Sequence, residues 1–330
     1  MLGVLLVVSI VISIGSGPIG LSPRTVLATS AHELLGLGDP TGALETTVVM
    51  QLRMPRVLFG ALTGAALAVS GAALQSLFRN PLADPGIIGV SGGASTGAVA
   101  AIVLLPPTAG LATAWAVPAS AFVGGIAVTA LIYVLARPDE RTGTARLLLV
   151  GIAIGAGCAA ITGFLTFAAD DELESVVFWQ MGSLGSIDML RLGIAAVPIL
   201  AGLVLMTAMA RRLDLLTLGE RQARHLGLDV DVTRRVVVVT TALLTATGVA
   251  FAGTIGFIGL VVPHIVRLLC GPAHRALLPA SALLGALLLV LADTLSRTVA
   301  PPQEVPIGLF TALLGAPFFL LLVMRSRAVR

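Results

Sequence analysis

The most enzyme-like residues of the chain lie in Gly89-Val90-Ser91-Gly92-Gly93, which fits the G-x-S-x-G spacing that presents a serine nucleophile on a sharp turn. His264, in Val262-Pro263-His264, is the histidine that would complete a dyad with Ser91. An elbow of that type needs a strand leading in and a helix leading out, whereas the residues around Ser91 are small, apolar and helical in pattern. Close helix packing explains the motif more simply, and His264 then reads as a structural histidine near a kinked helix end. Asp170, Asp171, Glu172 and Glu174 form an acidic run without the spacing of a calcium loop, which reads as a solvated loop. Asp293 and Arg297 stand four apart, the spacing of an ion pair on one helix face, which lowers the cost of placing both near a membrane. Arg53 and Arg56, three apart, join Arg297 on an otherwise arginine-poor face. They read either as an exposed docking surface for anionic groups or as side chains reaching to lipid phosphate.

What is missing narrows the chemistry as much. All 20 basic residues are arginine, so a Walker A lysine and a Schiff-base lysine are both excluded. Energy for any uphill process must come from a gradient or from another subunit. Cys158 and Cys270 lie in or beside apolar stretches and do not read as a disulfide framework. No basic patch interleaved with aromatics is present, so the net charge of +3 carries no sign of nucleic acid.

The elements that must position these residues are membrane helices. The 330 residues are 57% hydrophobic and 11% charged, where soluble domains average about half apolar and a quarter charged. Stretches of about 20 apolar residues, enough to cross a hydrocarbon core of roughly 30 Å, predict ten spans: 2–14, 55–78, 86–105, 115–136, 145–168, 190–210, 236–251, 255–269, 277–295 and 306–324. No charged loop separates the pair around Gly253. Ser22-Pro23 opens a short external helix over 22–36. With the N-terminus inside, fifteen of the twenty arginines fall on the inner face, Arg137, Arg141 and Arg330 among them. Arg24, Arg53, Arg56, Arg191 and Arg297 fall outside, the bias of the positive-inside rule. Trp115 and Trp179 fall at outer span ends. Gly60-x-x-x-Gly64, Gly93-x-x-x-Gly97 and Gly151-x-x-x-Gly155 let backbones approach closely. Within the inner loop 211–235, Leu218-Gly219-Glu220 starts a helical segment, Gly227 ends it, and Asp229 precedes the next helix. Its mix of Glu, Gln, Arg and His suits a protein partner.

Several ordered segments resemble the permease subunits of ABC importers for iron-siderophores, haem and cobalamin. They are Leu52-Arg53-Met54-Pro55-Arg56, Ser70 to Gln75, Arg79-Asn80-Pro81-Leu82-Ala83-Asp84-Pro85-Gly86, Ile88 to Gly93, Gly256 to Arg267, Leu291 to Arg297, Glu304 to Gly308 and Leu314 to Phe318. The resemblance covers essentially the whole chain. It implies an all-α polytopic bundle of about ten transmembrane helices, similar to the cobalamin importer permease of the type II ABC importers, with 1–330 as one permease domain. It also implies a homodimer with the pathway at its interface, two ATP-binding cassette ATPase subunits, and a periplasmic or lipid-anchored substrate-binding protein. On the same likeness the chain is not an enzyme, holds no permanent cofactor, carries haem or an iron chelate as cargo and leaves ATP to its partner. Its place is the bacterial inner membrane, in contact with lipid, both termini cytoplasmic.

Carried over residue by residue, Arg53, Arg56 and Arg297 match arginines that pair with glutamates on the two lobes of the binding protein. Leu218, Gly219, Glu220, Ala223, Leu226, Gly227 and Asp229 match the coupling helix that sits in a cleft of the ATPase. Asn80, Pro81, Asp84, Pro85, Gly89, Ser91, Gly92, Pro263 and His264 belong to the motif framework. The run from Arg79 to Ser91 looks closest to haem importers, with ferric siderophores second and cobalamin third. Fixed haem ligands would be His, Tyr, Met or Cys on pathway helices, and Tyr133 is the single tyrosine. Two other classes make different demands. A rhomboid-like intramembrane serine protease, whose G-x-S-G the Ser91 motif also resembles, requires Ser91 to label with a fluorophosphonate. An ion-coupled secondary transporter requires uptake by the chain alone, with Asp293 as its candidate intramembrane acid.

Overall fold

The computed structural model describes residues 1–105, 111–136 and 145–327, and these are all-helical. The apolar helix α1 (Leu2–Gly15) leads to α2 (Pro23–Leu35), which begins as its sequence dictates. Ser22 Oγ accepts from the Thr25 amide at 3.1 Å, Pro23 stands where a missing N–H costs nothing, and Gly36 closes the helix in the left-handed region. The short α3 (Ala43–Thr46) continues through a π-helical stretch, Thr47–Arg53, into α4 (Met54–Phe78). The span expected from residue 55 thus belongs to a continuous helix starting at Ala43. Pro55 lacks an N–H and crowds the carbonyl four residues back, and the widened turn directly before it accommodates that defect.

A tight turn over Pro85–Ile88 leads to α5 (Val90–Leu104). Then come α6 (Leu111–Ala136), α7 (Ala145–Phe167), α8 (Leu173–Met181) and α9 (Met189–Ala208). The acidic run is not wholly a loop, because Glu172 and Glu174 head α8, where carboxylates favour the positive helix end. The inner loop folds as α10 (Ala210–Thr217) and α11 (Glu220–His225), followed by α12 (Val230–Ala252), α13 (Ile258–Cys270), α14 (His274–Thr298) and α15 (Ile307–Arg327). Among the described residues, six helices are long and apolar enough to cross a membrane, and Leu2–Gly15, Val90–Leu104, Ile258–Cys270 and Ile307–Leu320 are shorter apolar helices. Together they occupy the ten expected spans. Arg137, Arg141 and Arg330 of the predicted inner face lie outside the described residues.

Helix α4 is the central pillar, buried along most of its length among α9, α12, α13 and α14. Small residues set these contacts: a Cβ on Gly64 would stand 2.2 Å from the Gly285 carbonyl oxygen of α14, and one on Gly93 2.3 Å from the Gly124 oxygen of α6. The third small-residue motif behaves differently, since among the described residues nothing beyond the neighbouring turns of α7 lies within 4 Å of a Cβ on Gly155. Gly155 borders a groove against Ser91, Gly92 and Ser95 of α5, whereas Gly157, two residues on and on the other side of the helix, is exposed with equally open space for a Cβ. Between α12 and α13 the backbone breaks at Gly253 and Phe257, both with positive φ. Gly253 has no alternative, because a Cβ there would lie 2.2 Å from the Trp179 carbonyl oxygen.

Candidate functional site

At one end of the bundle α1, α4 and α14 converge on a node of three arginines. The expected exposure of Arg53, Arg56 and Arg297 is corrected, because all three are buried at 6–8% relative accessibility. Each buried guanidinium has found acceptors, as desolvation demands. Arg53 donates to the carbonyls of Ile14 (2.9 Å), Gly15 (3.2 Å) and Ile19 (2.7 Å). Arg297 donates to the Ser16 carbonyl (3.0 Å), the Ser13 carbonyl (3.1 Å) and Ser13 Oγ (2.8 Å). The two thereby cap the carboxyl end of α1, whose last carbonyls lack partners in the helix. Asp293, only 1% exposed, bridges the other two helices, accepting from Arg56 Nε at 2.9 Å and Arg297 Nε at 3.1 Å. The i,i+4 pair read from sequence is present, but Arg56 shares it. Arg56 Nη1 also donates to Glu304 Oε1 at 2.8 Å, and Glu304 is 49% exposed where the Arg56 side chain is 9% exposed. Glu304 is therefore the surface half of the node, a role no local sequence pattern announces. Nearby, Arg191 lies over the Trp115 ring, 5.3 Å from its centroid.

The opposite end carries the segment around α11. Gly219 and Gly227, with φ of +103° and +83°, bracket the helix as the sequence indicates. Glu220 reaches Arg234 of α12 at 2.8 Å, and Arg234 also pairs with Asp231 at 2.9 Å. Asp229 caps α12, its carboxylate accepting from the Val232 amide at 2.9 Å. The residues expected to form the coupling segment divide into two sets. Ala223 is fully buried and Glu220 is tied to α12, so both hold the segment to the bundle, whereas Leu218 and Leu226 are exposed on either side of α11. Leu218 and Leu226 thus form an exposed apolar pair flanking a braced helix.

The motif turn after α4 is built from side-chain to backbone bonds. Asn80 accepts from the Leu82 amide (2.9 Å) and Asp84 from the Gly86 amide (2.8 Å). Burial pushes the Asp84 carboxyl above its usual range, while the Gly86 bond pulls the other way. Pro85 begins the tight turn and Gly89 ends it with φ +83°, where a Cβ would meet Ile132. Pro81 is exposed at the start of the turn, and Gly92 packs against Cys158 of α7. Pro263 leaves the carbonyl of Gly259, four residues earlier, without its helical donor, and Gln75 Nε2 of α4 supplies one at 3.3 Å.

The Ser91–His264 dyad that the sequence already disfavours is not assembled. His264 lies edge-on to Phe318, and no hydrogen bond joins it to Ser91 among the described residues. A serine, histidine and aspartate do meet elsewhere, at the α11 end: Ser76 Oγ is 2.5 Å from His274 Nε2, and His274 Nδ1 is 2.6 Å from Asp214 Oδ1. This Ser76–His274–Asp214 relay is not built as a hydrolytic centre. Ser76 is 3% exposed, its hydroxyl also faces the Ala72 carbonyl at 3.0 Å, and it lies in the last turn of α4, where free groups are carbonyls that would repel an oxyanion.

Among the described residues, ten apolar helices with a satisfied charged node at one end and a braced, apolar-flanked segment at the other make a multi-pass membrane protein. Residues 5–325 match the FecCD transport family. The chain belongs to that family and is an ABC importer permease. It is 43% identical to the hemin transport system permease protein HmuU of Yersinia pestis, covering 100% of this chain and 97% of the relative. It is 41% identical to the cobalamin import system permease protein BtuC of Halobacterium salinarum, covering 99% and 95%. A solved inward-facing metal-chelate type ABC transporter superposes with a TM-score of 0.85 at 33% identity, over 98% of this chain and 97% of that one. The fold is that of the type II ABC importer permeases, as the sequence resemblance implied.

Proposed function

We propose that this permease imports haem by alternating access at a homodimer interface in the bacterial inner membrane, with both termini cytoplasmic and ATP hydrolysed by two separate ATPase subunits. The carrying observation is the end-to-end match to a hemin permease. The uncovered side of α7 supports the dimeric pathway: exposed Ile152, Ile161, Phe164 and Phe167, with exposed Gly157 among them, form an apolar wall for a flat macrocycle that must also be released. Liposomes holding the chain, its ATPase and its binding protein are expected to accumulate haem only when ATP is supplied. Accumulation without ATP rejects the scheme. Cobalamin is the second reading, because a relative of nearly equal identity is named for it, and preferential uptake of cobalamin or a ferric siderophore would move the substrate while keeping the class.

The binding protein docks, in this reading, at the Arg56 end, with Arg53 and Arg297 shaping the node and acidic side chains of the partner addressing Arg56. Because Glu304 already covers Arg56, an incoming carboxylate has to displace it. Glu304→Gln is expected to tighten binding-protein affinity by roughly two- to fivefold, the worth of a half-exposed ion pair. Titration of labelled binding protein against permease in nanodiscs measures it, and weakened binding would make Glu304 itself the docking group. At the other end Leu218 and Leu226 enter the ATPase cleft, while Gly219, Glu220, Ala223, Gly227 and Asp229 hold α11 in place to do so.

A further inference from the structure

Helices α4 and α14 are joined at three heights. At one end Arg56 binds Asp293, in the middle Gly64 and Gly285 bring the backbones together, and at the other end Ser76 meets His274. The middle contact leaves no room for a side chain on either glycine, so the two helices cannot rotate against each other without separating. The third contact extends beyond the pair. Asp214 Oδ1 accepts from the ring Nδ1 of His274 at 2.6 Å and from its backbone amide at 3.0 Å. Ser76 Oγ lies between His274 Nε2 at 2.5 Å and the Ala72 carbonyl, to which its single proton is donated at 3.0 Å. Helix α14 has no cap of its own, since Ala273 precedes it and offers no side-chain acceptor, so a residue of α10 caps it instead. Asp214 stands one helical turn and a half before Gly219, where the α11 segment begins. Arg79, closing α4 in the left-handed region, packs close by, with Nη1 3.3 Å from where a Cβ on Gly219 would stand.

We infer that Ser76, His274 and Asp214 are positioning residues that clasp the α4–α14 pair to α10, so that displacement of the coupling segment reaches Arg56 and Asp293 at the far end. The distance along α14 from His274 to Asp293 is on the order of 30 Å, from the ~1.5 Å rise per residue. A single capped and twice-braced helix pair spans it, so the docking node and the coupling segment act on one body. The inference rests on the assignments of α11 to the ATPase and of the Arg56 end to the binding protein.

The quantity that tests it is the factor by which binding protein stimulates ATP hydrolysis in proteoliposomes containing permease and ATPase. Asp214→Ala is expected to cut that factor by roughly two- to thirtyfold, the range over which residues along a coupled network act. Co-purification of the ATPase, unstimulated hydrolysis and binding-protein affinity stay at the wild-type level. Asp214→Asn, which keeps an acceptor for the His274 amide, restores part of the factor. Ser76→Ala removes one buried hydroxyl with little risk to folding and lowers the factor in the same direction. Full stimulation in both Asp214→Ala and Ser76→Ala overturns the inference, as does a parallel fall of assembly, hydrolysis and stimulation. Failure of the underlying assignment looks different: Leu226→Asp would leave ATPase co-purification intact, whatever Asp214 does.

Discussion

Asp293→Ala is expected to remove most of the folded permease from the membrane, an effect larger than any substitution at the exposed rim of the node. Asp293 is the fully buried carboxylate that serves Arg56 and Arg297 together, from two helices. Deleting it leaves two guanidinium groups facing one another in a desolvated site with Glu304 alone to balance them, and breaking a buried pair by removing one partner costs about 3–5 kcal/mol. Arg297 would keep its bonds to Ser13 and Ser16, and Arg56 its bond to Glu304, so the loss falls on the Arg56–Asp293 contact that joins α4 to α14. Thermal unfolding in detergent, followed by the surviving monodisperse fraction, measures the effect, and Asp293→Asn separates charge from shape. A variant as stable as the parent would mean that the node is held by the α1 carbonyls rather than by the carboxylate. The same reasoning disqualifies reversal of Arg56 to glutamate as a clean docking test, since it would set three carboxylates together and unfold the site it was meant to probe.

How far the sequence carried differs between local and distant features, and the reason is the range of the contacts. The α2 cap at Ser22, the bracketing of α11 by Gly219 and Gly227, and the Asp229 cap were legible because each is made within a few residues. Asp293 with Arg297 was legible for the same reason, at one helical turn. The burial of Arg53, Arg56 and Arg297 was not, because charge asymmetry places a residue near a face without saying what covers it. Their acceptors come from Ser13, Ile14, Ile19 and Glu304, remote in sequence from the residues they serve. Ser76, Asp214 and His274 share no spacing at all, so the clasp had no signal to give; the glycine-rich motif around Ser91 had one, and it belonged to packing. The pairing of Gln75 with Gly259 sits between these cases. Pro263 announces a carbonyl in need of a donor, but not which helix provides it.

That carbonyl is also where the tightest backbone approach in the bundle predicts a large effect, in Gly71→Ala. A Cβ on Gly71 would stand 1.8 Å from the Gly259 oxygen, 2.4 Å from its carbonyl carbon and 2.6 Å from its Cα. All three are backbone atoms, so no rotamer change relieves the clash and α4 must move away from α13. Overpacking of a core typically costs about 1–3 kcal/mol when side chains can give. Here the cost reaches further, because separating the helices stretches the Gln75 bonds to Gly259 and Leu260, already 3.3 Å each, and returns the carbonyl freed by Pro263 to an unsatisfied state in an apolar interior. Pro85 packs on the same glycine, since a Cβ on Gly259 would meet its ring at 2.8 Å, so the Asn80 to Gly89 turn is displaced as well. Gly71→Ala is therefore expected to abolish uptake and lower the apparent melting temperature. Gly155→Ala, where an added Cβ meets nothing within 4 Å among the described residues beyond its own helix, is expected to leave the isolated chain as stable as the parent, so equal stability losses in the two variants would refute the contact between Gly71 and Gly259 as the cause.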